Sequence, residues 1–254
     1  MMKRLTTVAL AALVLAATPG MAIAQDTTTT ERQTEDRQVA DAERRAEWFA
    51  TLQQRALEAI EKRLATIDNL ETAINDSTTV HDDHASQLLA ELRASTAGLE
   101  TLAGDIRTAE DLATLWELIP DIFEDYRIYA VVAPKVHLVL ASDAAGAVAG
   151  RLEQATGALG DALDRLEEFG IDVADAEALL VEMKEFVASG ASSAASVPGM
   201  VLDLTPADYP GSSETLRSAH AVLQSARTDL QAAGDTAHEI VRFIVGALGG
   251  HGSG

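Results

Sequence analysis

Apolar side chains recur every three or four positions along most of the chain, the spacing that places them on one face of an α-helix. Interruptions in this pattern separate six predicted helices, A to F. Their approximate ranges are 38–74, 80–107, 108–133, 134–169, 173–197 and 214–248. In helices B and F the spacing forms a heptad seam, as in antiparallel helical hairpins. The pattern predicts an all-α protein, an elongated bundle of about six long helices.

The most hydrophobic stretch outside the N-terminal region is 121–143, DIFEDYRIYAVVAPKVHLVLASD. Residues 136–140 could form a buried strand, but the chain offers no second strand to pair with it, so helix is the better interpretation. Pro134 predicts a join or kink between helices C and D. The apolar run within this stretch, 128–141, is only fourteen residues long and contains Lys135 and Pro134, so it does not suit a membrane span. We therefore expect a core junction, covered by helices A, B and F.

A short motif occurs twice, as IDNLE at 67–71 and LDRLE at 163–167. Each copy is followed by a break, a heptad helix and a further helix. This order suggests two three-helix halves, 38–133 and 134–248, that meet near Pro134. The suggestion depends on one motif and the matching order of the helices.

Residues 1–24 have the features of a signal peptide, with basic Lys3 and Arg4, an apolar segment at 8–17 and an A-x-A cleavage motif at 22–24. The apolar segment is too short to span a bilayer. We expect a secreted or extracellular, cell-envelope associated protein that begins at Gln25 and keeps no stable membrane span. Residues 25–37 are expected to be a flexible polar spacer and 249–254 a flexible tail.

The chain is strongly acidic, with a net charge of −21 at pH 7. Removal of Lys3 and Arg4 with the leader would leave 17 basic and 40 acidic side chains, a net charge of −23. Such a charge argues against nucleic acid and against anionic membranes as partners. It is compatible with diffuse binding of cations. The chain has no cysteine, so apolar burial rather than disulfides must stabilise it.

One cluster has the chemistry of metal ligands: His81, Asp82, Asp83 and His84. The two histidines are three residues apart and would share one side of helix B, so their imidazoles could bind one metal ion. Zinc sites need three or four ligands, usually from more than one element, and no further motif completes this set. The alternative interpretation is an acidic, solvated first helical turn.

A second group mixes aromatic and basic side chains within the acidic chain: Tyr126, Arg127, Tyr129, Lys135 and His137. These residues could line a binding groove. Alternatively, Arg127 pairs with a neighbouring carboxylate and the tyrosines belong to the core junction, with their hydroxyls at its rim.

The blocks EDYRIYA (124–130), PKVH (134–137), ASD (141–143) and LTPADYPG (204–211) resemble a pattern in secreted, alanine-rich helical proteins of actinobacteria. The resemblance covers most of the chain after the leader. It implies export and a helical, coiled-coil-like fold. It supplies no catalytic or binding residues.

Motifs for common enzyme chemistry are absent from the sequence: there is no GxSxG, no cysteine nucleophile, no P-loop and no dinucleotide fingerprint. We therefore expect a non-enzymatic protein without catalytic residues or cofactors. Its expected function is that of a structural or interaction module at or outside the cell surface, which binds itself or another surface protein through helix faces. The alternative is an envelope protein that binds cations or small ligands through its acidic helix faces or through His81 and His84.

Overall fold

A computed structural model describes residues 26–251, and every regular element in that range is helical. The α-helices are α1 (Asp26–Asp76), α2 (Asp82–Thr108), α3 (Leu112–Glu124), α4 (Ala133–Glu168), α5 (Ala174–Val201) and α6 (Ser212–His251). A π-helical turn, Ile128–Val132, precedes α4, and a 3-10 turn, Pro206–Asp208, precedes α6. The described residues contain no strand, so the all-α prediction is confirmed.

The count of helices depends on how the central stretch is treated. When α3, the π-helical turn and α4 are counted as one interrupted helix, Leu112–Glu168, the described part of the chain has five helices. Neither the predicted number of about six nor the two-half arrangement is confirmed. The larger core draws side chains from α1 and α2 as well as from α4, α5 and α6, and therefore from both predicted halves.

The chain divides into two compact units after Trp48. The described part of the first unit, 26–48, is helical, and its side chains from residue 32 onward are exposed except for the half-buried Ala40. This differs from the expected flexible spacer at 25–37, because helix α1 already begins at Asp26. The Glu, Arg and Gln residues of this segment are good helix formers, which suits an exposed helix. The predicted leader, 1–24, lies outside the described residues.

The second unit, from Phe49 onward, contains two apolar cores. The larger one lies where α1, α2, α3 and the first half of α4 meet the facing parts of α5 and α6. The smaller one lies between the end of α4, the first half of α5 and the second half of α6, around Leu163, Met183 and Ile240. Apolar burial on this scale is the main stabilising term in a chain without disulfides.

The central stretch is helical, as predicted, but its break lies earlier than Pro134. Residues 125–127 interrupt the helix, and Arg127 has left-handed backbone angles (φ 36°, ψ 42°). Pro134 lies in the first turn of α4, directly after the π-helical turn, where the fixed φ of proline suits the start of a helix. The side chains of Ile128, Val132 and Val136 are almost fully buried in the larger core.

One helical stretch, Leu112–Glu168, is long and apolar enough to cross a membrane by length and composition alone. Half of its most apolar window is buried inside the structure. Core helices of soluble proteins meet the same criterion, so the stretch is weak evidence for a membrane span.

Candidate functional site

A buried carboxylate, Asp143 of α4, lies against the first turn of α2. Its two oxygens are 3.1 and 2.9 Å from Nδ1 of His84, and the backbone N–H of His81 donates to Oδ2 over 3.0 Å. The side chain of Asp143 is only 4% exposed, and that of His84 is 24% exposed. His81 is the N-cap residue of α2, but its side chain makes no capping hydrogen bond. The backbone N–H groups at the start of a helix have no partner within the helix, and a nearby side chain usually accepts from them. Here Asp143, from another helix, accepts from one of these groups.

The predicted metal ligands lie at the start of α2. The rings of His81 and His84 have centroids 5.3 Å apart. Asp82 and Asp83 are exposed in the first turn, where the helix dipole favours carboxylates. No group of three or more His, Cys, Asp or Glu side chains within the described residues is arranged to hold a metal ion. The sequence did not indicate Asp143, because this residue is distant along the chain and lies on another helix.

Lys135 forms a second buried polar cluster. Its side chain is 1% exposed and forms an ion pair with the carboxylate of Glu91 on α2. Nζ also donates to the backbone carbonyl of Leu204 over 2.7 Å and contacts that of Leu202 at 3.5 Å. Lys135 thereby ties α2, α4 and the segment between α5 and α6 to one another. This is a structural role, and its burial removes Lys135 from any open groove.

Three large rings near the junction of α3 and α4 are about half exposed, and they form what we term the aromatic face: Trp116 (53%), Phe123 (50%) and Tyr129 (53%). Trp116 and Phe123 are seven residues apart on α3 and share one side of it. Tyr129 lies in the π-helical turn and donates its hydroxyl to the carbonyl of Lys62 over 3.3 Å.

A cation from α1 lies beneath the aromatic face. The guanidinium carbon of Arg63 is 4.6 Å from the ring centroid of Phe123 and 5.2 Å from that of Tyr129. The residue is buried, and Nη1 donates to the carbonyl of Ala59 over 2.7 Å. Burial lowers the pKa of Arg63 from its ordinary value. Stacking on two rings fixes their orientation and is worth about 0.5–2 kcal/mol per ring.

Arg127 and Tyr126 lie elsewhere. The guanidinium of Arg127 stacks on the ring of Tyr209 at 4.3 Å, so the predicted pairing with a neighbouring carboxylate is replaced by a contact with the segment before α6. Tyr126 packs over Gly98 of α2, where an added Cβ would collide with its ring. Burial raises the pKa of Tyr126, and the charges of Asp125 and Asp121 add to this effect.

His137, the last of the five predicted residues, is exposed on α4. It lines a hollow between α4 and α6 together with His220 and Arg227 of α6. The five residues therefore do not form one groove: they divide among a buried cluster, the aromatic face, the arginine stacking contact, the tyrosine packed against α2 and this hollow. Sequence reasoning missed Arg63, His220 and Arg227, although His220 and Arg227 are seven residues apart and predictably share one helix side.

No protein-family model, curated protein or solved structure matches this chain.

Proposed function

We propose that the protein is an exported, non-enzymatic interaction module that binds another protein through the aromatic face. The observation that carries this proposal is the half exposure of Trp116, Phe123 and Tyr129, the last two of which stack on a buried arginine. Aromatic side chains and arginine dominate the binding energy of many protein interfaces. Clustered exposed aromatic rings held in fixed orientations are unusual on a surface that only contacts water.

The partner is either a second copy of the chain or another protein at the cell surface, and one set of variants tests both. Light scattering coupled to size-exclusion chromatography would measure the mass of a chain starting at Gln25 over a range of concentrations. Retention of the same chain on intact cells of the source bacterium would be measured in parallel. Trp116→Ala with Phe123→Ser should reduce the mass or the retention, because the variant removes two exposed rings.

Phe169→Ala is the matched control, since Phe169 is 78% exposed and lies at the end of α4, away from the aromatic face. The control should behave as wild type. A chain that is monomeric at every concentration and is not retained on cells would contradict the proposal, as would equal effects of the two variants.

Export is part of the same proposal, and the leader at 1–24 supports it, as does the resemblance to secreted helical proteins of actinobacteria. Cell fractionation and N-terminal sequencing of the protein made in a Gram-positive host would test it. We expect protein in the medium or envelope that begins at Gln25. Full-length protein that stays in the cytoplasm would contradict export.

The second candidate function is binding of a divalent cation by His81 and His84. The observation that favours it is the contact of 2.9 Å between Nδ1 of His84 and the carboxylate of Asp143. When Nδ1–H donates to a carboxylate in this way, the imidazole is held in place and its Nε2 is left available for a metal. Calorimetric titration with zinc, copper and calcium would test it. Binding that His81→Ala abolishes would support it, and the absence of heat at millimolar metal would exclude it.

A further inference from the structure

The hollow between α4 and α6 combines an apolar floor with a basic rim. It has a volume of about 440 Å³. Its floor includes the buried side chains of Leu138, Leu216 and Leu223. Its rim carries the exposed side chains of His137, His220 and Arg227. Volumes of this order and an apolar lining with a few polar groups are typical of small-ligand sites.

A second hollow of about 340 Å³ adjoins the first and shares Ala141 and Arg227 with it. Its lining is apolar apart from Arg227 and Gln231 and includes Ala144, Ala145, Val148 and Leu230. Arg227 therefore lies where the two hollows meet. From Ala141 to Val148 the helix rises about 10 Å, which is the length available to an alkyl chain along α4.

The charge of this surface is opposite to that of the protein as a whole. The chain has 40 acidic and 19 basic side chains, but no carboxylate lines either hollow. The hollow between α1 and α2, by contrast, is lined by Glu58, Glu61 and Glu100. In the described part of the chain, no carboxylate forms an ion pair with Arg227. A basic group without a partner at the edge of an apolar floor favours an anionic ligand with an apolar part.

The shape of the floor favours an alkyl chain over a docked helix. A docked amphipathic helix needs a row of exposed large apolar side chains on the surface that receives it. Here Leu138, Leu223 and Leu230 are already buried, and Val148 is only 36% exposed. A single alkyl chain needs no more than the narrow depression between the two helices.

We propose that the α4–α6 hollows bind a medium-chain anionic amphiphile. Its head group contacts Arg227, His137 and His220, and its alkyl chain lies along Ala141, Ala144 and Val148. This site is separate from the aromatic face and does not depend on the interaction proposed for that face. The shared chemistry of the ligand is an anionic head on one alkyl chain, whether the head is a carboxylate or a sulfate.

Calorimetric titration of the chain starting at Gln25 with decanoate, below its micelle concentration, would test the proposal. We expect saturable binding of decanoate. A parallel titration with decyl sulfate would show whether the site prefers a carboxylate or a sulfate head group. Decanol, which has the same chain without the charge, should bind at least about tenfold more weakly, because one charge-assisted hydrogen bond corresponds to roughly a factor of ten. Acetate, which has the charge without the chain, should also bind at least about tenfold more weakly, because it buries no alkyl chain in the hollows.

Arg227→Gln should weaken decanoate binding about tenfold or more. Arg217→Gln is the matched control, since Arg217 is an exposed arginine of α6 that lines neither hollow, and this control should bind decanoate as wild type does. Ala144→Leu should weaken binding by filling the second hollow, and thermal melting would verify that each variant is folded.

Three results would overturn the proposal. The first is no saturable binding of decanoate or decyl sulfate. The second is equal loss of affinity in Arg227→Gln and Arg217→Gln, which would indicate diffuse attraction rather than a site. The third is binding of an acidic amphipathic peptide in place of decanoate, which would make the surface a protein-docking groove.

Discussion

Lys135 is the residue whose environment departs most from what its type prefers, because a lysine is almost never fully buried unless it is paired. Its ammonium group has Glu91 and a backbone carbonyl as close partners. The side chain of Glu91 is a quarter exposed, but its Oε1 is buried without a hydrogen-bond partner, so the carboxylate depends on Lys135. The net attraction within the pair contributes little to stability. Removal of either partner is costly, because the other group would remain buried without a partner.

We expect Lys135→Met to lower the free energy of unfolding by about 2–3 kcal/mol. The methionine fills much of the volume, but Glu91 and the carbonyl of Leu204 lose their donor. Urea unfolding would measure the change. In the double variant Lys135→Met with Glu91→Leu the loss should be smaller than in Lys135→Met alone, since no buried charge remains. A double variant less stable than the single one would contradict this account.

Tyr126 makes the stability of the fold depend on alkaline pH, and the burial of its ring determines the direction of that dependence. Desolvation favours the neutral phenol and raises the pKa of Tyr126 above its ordinary value of about 10. The unfolded chain therefore releases the proton first as the pH rises. The stability from this group is complete below the ordinary pKa and is lost as the pH rises through the raised one.

We expect the stability of the wild type to fall more steeply above pH 10 or so than that of Tyr126→Phe. Denaturant unfolding at a series of alkaline pH values would measure how steeply the free energy of unfolding falls with pH in each protein. The comparison uses these two slopes rather than the absolute stabilities. The phenolate absorbance that disappears in Tyr126→Phe would give the pKa of Tyr126 directly. A pKa of Tyr126 at or below the ordinary value would contradict the packing of its ring against Gly98 of α2.

At the scale of helices, close approach depends on two glycines that do not belong to the glycine-rich α4. Helix α4 contains four glycines, but a Cβ added at Gly146, Gly150 or Gly157 would meet no atom within 4 Å. A Cβ at Gly190 of α5 would lie 2.8 Å from Cγ of Leu230 and 3.1 Å from the carbonyl oxygen of Ala226 on α6. Gly98 is the other close contact, against Tyr126.

Gly190→Ala and Gly157→Ala should therefore change stability in opposite directions. At Gly190 the backbone of α6 cannot move away without disturbing the α5–α6 contact, so we expect a net loss of about 1–2 kcal/mol. At the exposed Gly157 the same substitution should add up to about 1 kcal/mol through helix propensity alone. Thermal or urea unfolding of the two variants would measure both changes. Equal effects at the two positions would show that α5 and α6 are not in close contact at Gly190.

Periodicity in the sequence predicted helices well, because the apolar spacing of one helix reports on that helix alone. Leu92, Leu99 and Ile106, for example, lie on the heptad seam predicted for helix B and are fully buried. The break near Arg127 was misplaced by several residues because Pro134 is the stronger local signal, yet proline is tolerated in a first turn.

The candidate sites were less predictable, because each joins residues from separate helices. Asp143 contacts His84, Glu91 contacts Lys135, and Arg63 stacks on Phe123, each pair being formed by two helices. Which side chains face each other depends on the relative shift and rotation of packed helices, and ridge-and-groove packing permits several arrangements. Single-sequence patterns carry no information about that choice.

At the scale of the whole molecule, the net charge of −21 makes stability depend on ionic strength. Acidic side chains repel one another more strongly in the compact state than in the expanded unfolded chain. In the described residues Arg44, Lys135 and Arg242 form ion pairs with carboxylates, and most of the 40 acidic side chains rely on water and dissolved ions instead. Screening shortens the range of the repulsion from about 30 Å at 0.01 M salt to about 8 Å at 0.15 M.

We therefore expect the unfolding temperature to rise between about 0.01 M and 0.15 M sodium chloride, with most of the rise at the lower concentrations. Tetramethylammonium chloride should give the same rise, because screening does not depend on the chemistry of the monovalent cation. Calcium chloride at equal ionic strength separates screening from binding: a larger rise with calcium would show that carboxylates coordinate the ion, as the cation-binding alternative requires. An unfolding temperature that stays constant in all three salts would mean that the negative charges are too far apart in the folded chain to repel one another.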